Sequence, residues 1–192
     1  MDGNAVTAIF LSASVPDRKP FNADCDPLLV REAVLSLVSV ATPKSELVFG
    51  GHPAISPLVE HAARSIGTLE NVHIFQSDYF VQAIPAVAKQ FQNLHMTSAG
   101  HNRDNSLTLM RNQMLAFREY QAAVLIGGMK GLYEELDLFQ SMHPTARVIP
   151  IASTGGVAKT LFDDGIGPAG QPDRHDLESS LRYRSLFRRL LP

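Results

Sequence analysis

The chain has 192 residues, 45% of them apolar, which is enough for one compact domain to bury about 70% of its unfolded surface. Such a domain needs no metal clip or disulfide framework, and its single cysteine, Cys25, cannot form an intramolecular bridge. A formal charge of −2 argues against a nucleic-acid-binding protein, and the apolar runs are far shorter than the roughly 20 residues of a membrane span. The first residues include no basic side chain, which argues against a secretory signal. We therefore expect a soluble cytoplasmic protein.

Short apolar runs alternate with longer segments of helical periodicity, which is typical of a parallel sheet with helices on both faces. The predicted elements, in chain order, are a strand at 5–11, a helix at 27–41, a strand at 46–49, a helix at 56–66, a strand at 72–75, a helix at 79–91, a strand at 94–97, a loop at 99–105, a helix at 106–119, a strand at 123–126, a helix at 132–142, a strand at 147–152 and a short helix ending near 162.

A Gly/Pro-rich connection at 165–172 precedes the C-terminal segment 173–192, in which a last helix is predicted at about 176–191. The predicted fold class is α/β: a doubly wound, mostly parallel, Rossmann-like sheet with helices on both faces and a C-terminal helix, forming one domain over residues 1–192. Ligands of such sheets bind beyond the carboxyl ends of the strands.

Three predicted strands end in a glycine pair, namely Gly50-Gly51, Gly127-Gly128 and Gly155-Gly156. Glycine lets the backbone approach a phosphate, and the helix that follows directs free N–H groups and the positive end of its dipole toward an anion. A single pair more often makes a tight turn, whereas three pairs at one sheet edge favour a ligand. The neighbouring candidate ligand-binding residues are Ser12, Ser14, His52, Lys130, Gly131, Ser153 and Thr154.

The segment 126–135 combines a glycine turn with one lysine and two glutamates. Glutamates in a first helical turn stabilise the macrodipole, and we assign that structural role to Glu135. Glu134 is expected to lie nearer a bound phosphate, where it would accept hydrogen bonds from ribose hydroxyls or act as a general base. Lys130 either pairs with phosphate or is solvated.

Arg111 and Arg118 fall on the apolar arc of their predicted helix. Arg118 is near the helix end and is expected to extend to water. Arg111 has less freedom, and a buried guanidinium needs an anionic partner, for which Glu134 or a ligand phosphate would serve.

Arg111, then Gly127-Gly128 after a strand, then Glu134, resembles the Lonely Guy family of phosphoribohydrolases in the SLOG superfamily. That family's signature is Arg-Lys on a helix, a strand, and Pro-Gly-Gly-x-Gly-Thr-x-x-Glu. Here Asn112 replaces the lysine, Ile126 the proline, and Lys130-Gly131 the Gly-Thr pair. The segments 9–16 and 48–55 look most like a divergent stand-alone SLOG cluster of bacterial conflict systems.

The resemblance implies that the protein senses a nucleotide or an ADP-ribose-like ligand, in anti-phage or stress signalling. The alternative is a phosphoribohydrolase-like enzyme that cleaves the N-glycosidic bond of a nucleoside monophosphate, with Arg111 and Glu134 as catalytic residues. In a third interpretation the glycine loops hold no ligand and the C-terminal helix is an interaction surface.

Other residues give weaker signals. The seven histidines lack metal-site spacing, and Cys25 lies between two aspartates that disfavour its thiolate. We therefore expect no metal and no cofactor. The basic C-terminal helix is expected to pack on its own domain or on a second subunit. The partners predicted are a nucleotide-derived small molecule and further copies of the chain, as a dimer or tetramer.

Overall fold

The computed structural model describes residues 7–84 and 86–192, and its centre is a six-stranded sheet in the order β4-β3-β2-β1-β5-β6. All five strand pairings are parallel, which confirms the predicted α/β class. The strands are β1 (Ala8–Ser14), β2 (Glu46–Gly50), β3 (Val72–Ser77), β4 (Asn93–Thr97), β5 (Tyr120–Gly127) and β6 (Arg147–Ile151). Residues 5 and 6 of the first predicted strand lie outside the described residues.

Seven α-helices cover the two faces of the sheet within the described residues. They are α1 (Pro27–Ala41), α2 (Ser56–Ser65), α3 (Arg103–Leu115), α4 (Lys130–Met142), α5 (Gly156–Asp163), α6 (Asp173–Ser179) and α7 (Tyr183–Leu190). Alternate residues of β1 point to opposite faces, so Ile9 and Leu11 pack under α1, α2, α6 and α7, whereas Ala8 and Phe10 pack under α3, α4 and α5.

The order of the strands reverses direction at β1. The chain adds β2, β3 and β4 on one side of β1 and then crosses to add β5 and β6 on the other side. The carboxyl ends of β1 and β5 are paired there, with Ser14 opposite Gly127. In open α/β sheets this reversal opens a crevice that takes the ligand.

Several predicted boundaries follow directly from local sequence signals. The side chain of Asp26 accepts hydrogen bonds from the N–H groups of Leu28, at 2.8 Å, and Leu29, so it caps α1 at the predicted start of that helix. Gly67 follows α2 with φ of 68°, a conformation that glycine adopts without strain, so it ends that helix.

The helix predicted at 79–91 is wrong as an α-helix. The chain forms two 3-10 segments instead, Asp78–Ala83 and Ala86–Gln90. Ile84 between them is extended, with φ of −65° and ψ of 121°. It precedes Pro85, and the residue before a proline is disfavoured in the helical region. Pro85 itself lies outside the described residues.

Two other helix boundaries differ from the prediction. Helix α3 begins within the predicted loop because the side chain of Asn102 accepts a 2.9 Å hydrogen bond from the N–H of Asn105. The predicted C-terminal helix is divided, since Ser180 is extended and its Oγ accepts a hydrogen bond from the N–H of Arg182. The second part, α7, buries Tyr183, Leu186, Phe187 and Leu190.

Within the described ranges, no helix combines the length and apolar character needed to cross a membrane.

Candidate functional site

Two adjoining cavities lie at the carboxyl ends of β1 and β2 and the start of α4. The inner cavity, of about 350 Å³, is bounded by the ends of β1 and β2, by residues 103–111 of α3 and by residues 131–135 of α4. The outer cavity, of about 690 Å³, lies against the same part of α3, the start of α4 and the segment that follows β1. The residues that line the inner cavity include Ser12, Ser14, Gly50, Gly51, His52, Arg111 and Glu135. Those that line the outer cavity include Arg18, Phe21, Arg103, Leu107, Arg111, Met129, Lys130, Gly131 and Glu134.

A separate cavity of about 530 Å³ lies beside the first residues of β6 and the segment 165–168. We place the candidate site at the inner and outer cavities because they lie where the strand order reverses and hold the ion pairs of the buried Arg111.

Arg111 points inward from α3, as its position on the apolar arc predicts. Its side chain is only 9% exposed, and Nη1 donates a 2.5 Å hydrogen bond to Oε2 of Glu134. Nε lies 3.4 Å from Oε1 of Glu135. The guanidinium therefore joins two adjacent carboxylates of α4 on the wall shared by the two cavities.

Glu135, which we assigned to the helix dipole, is the more deeply placed of the two glutamates. Its Oε2 accepts a 2.5 Å hydrogen bond from the hydroxyl of Ser12 at the end of β1. Burial raises the pKa of the Glu135 carboxyl, and the nearby Arg111 opposes that rise. Such a carboxyl, desolvated on a cavity wall, is suited to hydrogen bonding and proton exchange with a ligand.

Glu134 occupies a different environment from its neighbour. Its side chain is 50% exposed and lines the outer cavity, while Glu135 lines the inner one. Glu134 thus keeps contact with both Arg111 and solvent, so the role expected for it at a bound sugar or phosphate remains a prediction.

His52 lies at the end of β2 with its orientation fixed by the backbone. Its Nδ1 accepts a 3.2 Å hydrogen bond from the N–H of Ala54, and its own N–H donates to Oγ of Ser56. Burial lowers the pKa of His52, which favours the neutral ring, and because Nδ1 accepts a hydrogen bond the proton of that ring is on Nε2. His52 therefore presents a donor at the inner cavity.

The amide groups of the glycine corners are engaged within the protein. The N–H of Gly51 donates to the carbonyl of Phe75, that of Gly127 to Oγ1 of Thr154 and that of Gly128 to the carbonyl of Ser14. This arrangement differs from the expectation that these amides hold a phosphate. Gly127 and Gly128 have positive φ and pack against Ser14 and Leu132, so their conformation has a structural reason.

The third corner is covered by the segment that follows β1. The N–H of Gly156 donates to a carboxylate oxygen of Asp24 at 3.2 Å, and a Cβ on Gly155 would lie 2.0 Å from the carbonyl oxygen of Asp24. Thr154 is buried, and Ser153 hydrogen-bonds Tyr183. Of the described residues that line the two cavities, none belongs to 153–156.

A family model places this chain among known proteins: the SLOG cluster3 model matches residues 20–191. The chain belongs to the SLOG cluster3 family. Among curated proteins, none matches the chain significantly. One similar solved structure is the molybdenum cofactor carrier protein MCP from Chlamydomonas reinhardtii, with 15% identity, 74% of each chain covered and a TM-score of 0.46.

The geometry of this SLOG cluster3 protein also indicates that its glycine motif is displaced by one residue relative to the Lonely Guy signature. If Lys130 is counted as one additional residue, Gly131 falls on the third glycine of Gly-Gly-x-Gly-Thr-x-x-Glu and Glu135 on the glutamate. The ungapped comparison gave Glu134 instead. The inward position of Glu135 favours the offset, and allowing one insertion would have found it from the sequence.

Three further residues at the site of the SLOG cluster3 protein were not predicted: Arg18, Phe21 and Arg103. Arg18 and Phe21 lie in the irregular segment between β1 and α1, and Arg103 lies in what was predicted to be a loop. No periodicity orients such residues, so the sequence offered no signal for them beyond their charge and aromatic character.

Proposed function

We propose that this protein binds an anionic, nucleotide-derived ligand in the inner and outer cavities. The observation that carries the proposal is the buried Arg111, which joins Glu134 and Glu135 where the strand order reverses. Burying a guanidinium and a carboxylate costs free energy unless the two groups are hydrogen-bonded to each other in good geometry. Carboxyl groups with a shifted pKa on cavity walls also cluster at functional sites.

Positive charge around the outer cavity supports an anionic ligand. Arg18, Arg103 and Lys130 line this cavity together with Arg111. Among the described residues, the ion pairs of Arg18 and Arg103 are with their exposed chain neighbours Asp17 and Asp104. Exposed pairs of this kind are weak, so both guanidinium groups can exchange them for a phosphate.

The start of α4 supports the same assignment. Met129, Lys130 and Gly131 line the outer cavity, and Met129, at the N-cap position, makes no side-chain hydrogen bond to the helix. An uncapped helix N-terminus has free N–H groups and a partial positive charge. A phosphate beside Lys130 and Arg103 would meet both.

The sugar of the ligand fits the inner cavity. Glu135 already accepts hydrogen bonds from Ser12 and Arg111, and a carboxylate has acceptor sites for about four donors. Ribose hydroxyls would use the remaining ones. His52 and Ser14 add polar groups on the same wall. In this proposal the ligand is a nucleotide or an ADP-ribose-like molecule, and its binding shifts a homo-oligomer between states, as a sensor requires.

Thermal shift and calorimetry with nucleoside monophosphates, ADP-ribose and ribose 5-phosphate test the proposal. A ligand at 100 times its dissociation constant stabilises the folded state by about 2.7 kcal/mol. We expect stabilisation of the native protein and its loss in Arg103→Gln. The matched control is Arg184→Gln, which removes an exposed arginine of α7 outside both cavities. Unchanged melting of the native protein with every compound would refute the proposal.

A second function is favoured by the position of Glu135 on the wall of the inner cavity, where burial raises the pKa of its carboxyl. Such a carboxyl can exchange a proton with water that attacks the anomeric carbon of a nucleotide, so that water adds across the glycosidic C–N bond and the base leaves. Chromatographic detection of free base measures this reaction. Hydrolysis requires release by the native protein. Loss of release in Glu135→Gln with retention in Glu134→Gln would assign the proton exchange to Glu135, and the opposite pattern would assign it to Glu134 as the sequence predicted. Ligand binding without release supports the sensor alone.

A further inference from the structure

Three arginines line the boundary between the inner and outer cavities. Arg18, Arg103 and Arg111 each contribute to the walls of both. They come from separate places in the chain, Arg18 from the segment after β1 and the other two from α3. Asp17 lines the inner cavity and Asp104 the outer one, each in an exposed ion pair with Arg18 or Arg103. The three arginines outnumber these two carboxylates at the junction, where one ligand that occupies both cavities would have to pass.

The two cavities differ in the chemistry of their remaining walls. The inner cavity has the polar side chains of Ser12, Ser14, His52 and Glu135. Leu107 and Met129 line both cavities, whereas the partly buried aromatic ring of Phe21 lines the outer cavity alone. A ligand group rich in hydroxyls suits the inner cavity. A flat aromatic group suits the outer cavity, because every nucleobase can stack on an aromatic face.

We propose that Arg18, Phe21 and Arg103 form an outer subsite for the nucleobase end of a diphosphate-bridged ligand, whose sugar end occupies the inner cavity. This assignment rests on the proposed function and deepens it. The diphosphate lies at the junction, where the guanidinium groups of Arg18, Arg103 and Arg111 bind its oxygens. The base stacks on Phe21. Each cavity falls within the range of about 300–1,000 Å³ that holds a small ligand or a large part of one.

The segment between β1 and α1, which contains Phe21, is held in the wall of the outer cavity by hydrogen bonds near the start of α1. A carboxylate oxygen of Asp24 accepts from the N–H of Gly156, and the N–H of Asp26 donates to the carbonyl of Thr154 at 3.4 Å. At the β1 end of the segment, Pro16 is buried beside Gly127. The segment is therefore held at both ends, and the glycine corner at 155–156 serves the subsite by anchoring it.

Calorimetry with two probes separates the subsites. ADP-ribose spans both cavities, and ribose 5-phosphate carries only the sugar and one phosphate. We expect Phe21→Leu and Arg18→Gln each to weaken ADP-ribose binding about tenfold, since stacking and a charge-assisted hydrogen bond are each of that order. Binding of ribose 5-phosphate should change less than about twofold in Phe21→Leu.

Phe21→Tyr and Arg184→Gln are the controls. Tyrosine retains the aromatic face, so Phe21→Tyr should bind ADP-ribose within about twofold of the native protein if stacking is the cause. Equal losses in the leucine and tyrosine variants would show that Phe21 only packs, which overturns the subsite.

The outcomes also distinguish the subsite from the function on which it rests. If the native protein binds neither probe and no nucleoside monophosphate, both proposals fail. If it binds a nucleoside monophosphate or ribose 5-phosphate but not ADP-ribose, the subsite is overturned and the proposed function stands. If it binds ADP-ribose and both Phe21→Leu and Arg18→Gln bind it as tightly, the subsite is overturned and the proposed function stands. If Phe21→Leu weakens both probes equally, the residue shapes the whole site and the subsite is again overturned.

Discussion

Arg111 and Glu135 form an ion pair between α3 and α4, with Nε 3.4 Å from Oε1, at the wall of the inner cavity. Ser12 of β1 donates to the other oxygen of the same carboxylate, so the pair also ties both helices to the central strand. The same contacts that orient the candidate binding groups therefore contribute to the packing of the fold.

Arg111→Met should destabilise the protein by about 3 kcal/mol, because it leaves the buried carboxylate of Glu135 without its cation. Urea denaturation followed by circular dichroism measures the free energy of unfolding. The double variant Arg111→Met/Glu135→Gln removes both charges and should recover a large part of the loss. If the double variant is less stable than Arg111→Met, the pair does not act as described.

Gly131→Ala should weaken ligand binding about tenfold while the free energy of unfolding changes by less than about 1 kcal/mol. A Cβ at this position would lie 2.8 Å from Nη2 of Arg111, so the guanidinium must move away, whereas alanine favours the first turn of α4. Calorimetry and urea denaturation together check this. Gly170→Ala, which meets open space, is the control. Unchanged affinity in Gly131→Ala would show that the position of Arg111 is not critical.

Gly155→Ala should cost more stability than Gly165→Ala, by about 2 kcal/mol or more. Both glycines have positive φ, at 74° and 94°, so both substitutions carry the same kind of backbone strain of about 1–2 kcal/mol. Only at Gly155 does the new Cβ meet the backbone of Asp24, whereas at Gly165 nothing lies within 4 Å. Equal urea midpoints for the two variants would contradict the packing of Asp24 on this corner.

Stability should fall as the pH decreases below about 6.5, because His73 and His95 are held neutral. Their ring nitrogens Nδ1 and Nε2 lie 3.0 Å apart, beside the Glu46–Arg118 ion pair. Burial lowers the pKa of both rings below 6.5, and Arg118 lowers it further, while Glu46 opposes the shift. The unfolded chain then binds these protons first, so this contribution is complete above about pH 6.5 and is lost in acid.

Urea midpoints between pH 5 and pH 8 measure this slope. His95→Asn should flatten it, and His61→Asn, at an exposed position of α2, should leave it unchanged. A slope that is the same in His95→Asn as in the native protein would contradict the assignment.

The glutamate pair shows how far the candidate site could be predicted. The sequence identified the segment 126–135 and the inward position of Arg111, since a charged residue on an apolar arc is visible from helical spacing alone. It gave no reason to prefer the comparison with one insertion, which selects Glu135, over the ungapped one, because neighbouring residues of a helix point about 100° apart and the docking angle of α4 decides which one faces the cavity.

What the amino-acid sequence by itself determined is local: the alternation of strands and helices, the Asp26 cap, the stop at Gly67 and the glycine corners at the ends of β2, β5 and β6. These features depend on side-chain periodicity and backbone conformation within a few residues. Only the tertiary structure decided that the amide of Gly127 bonds Thr154 and that Asp24 covers Gly155, since these partners are 27 and more residues apart. Arg18, Phe21 and Arg103 likewise meet at the cavities because the strand order reverses at β1, a relationship that no local pattern records.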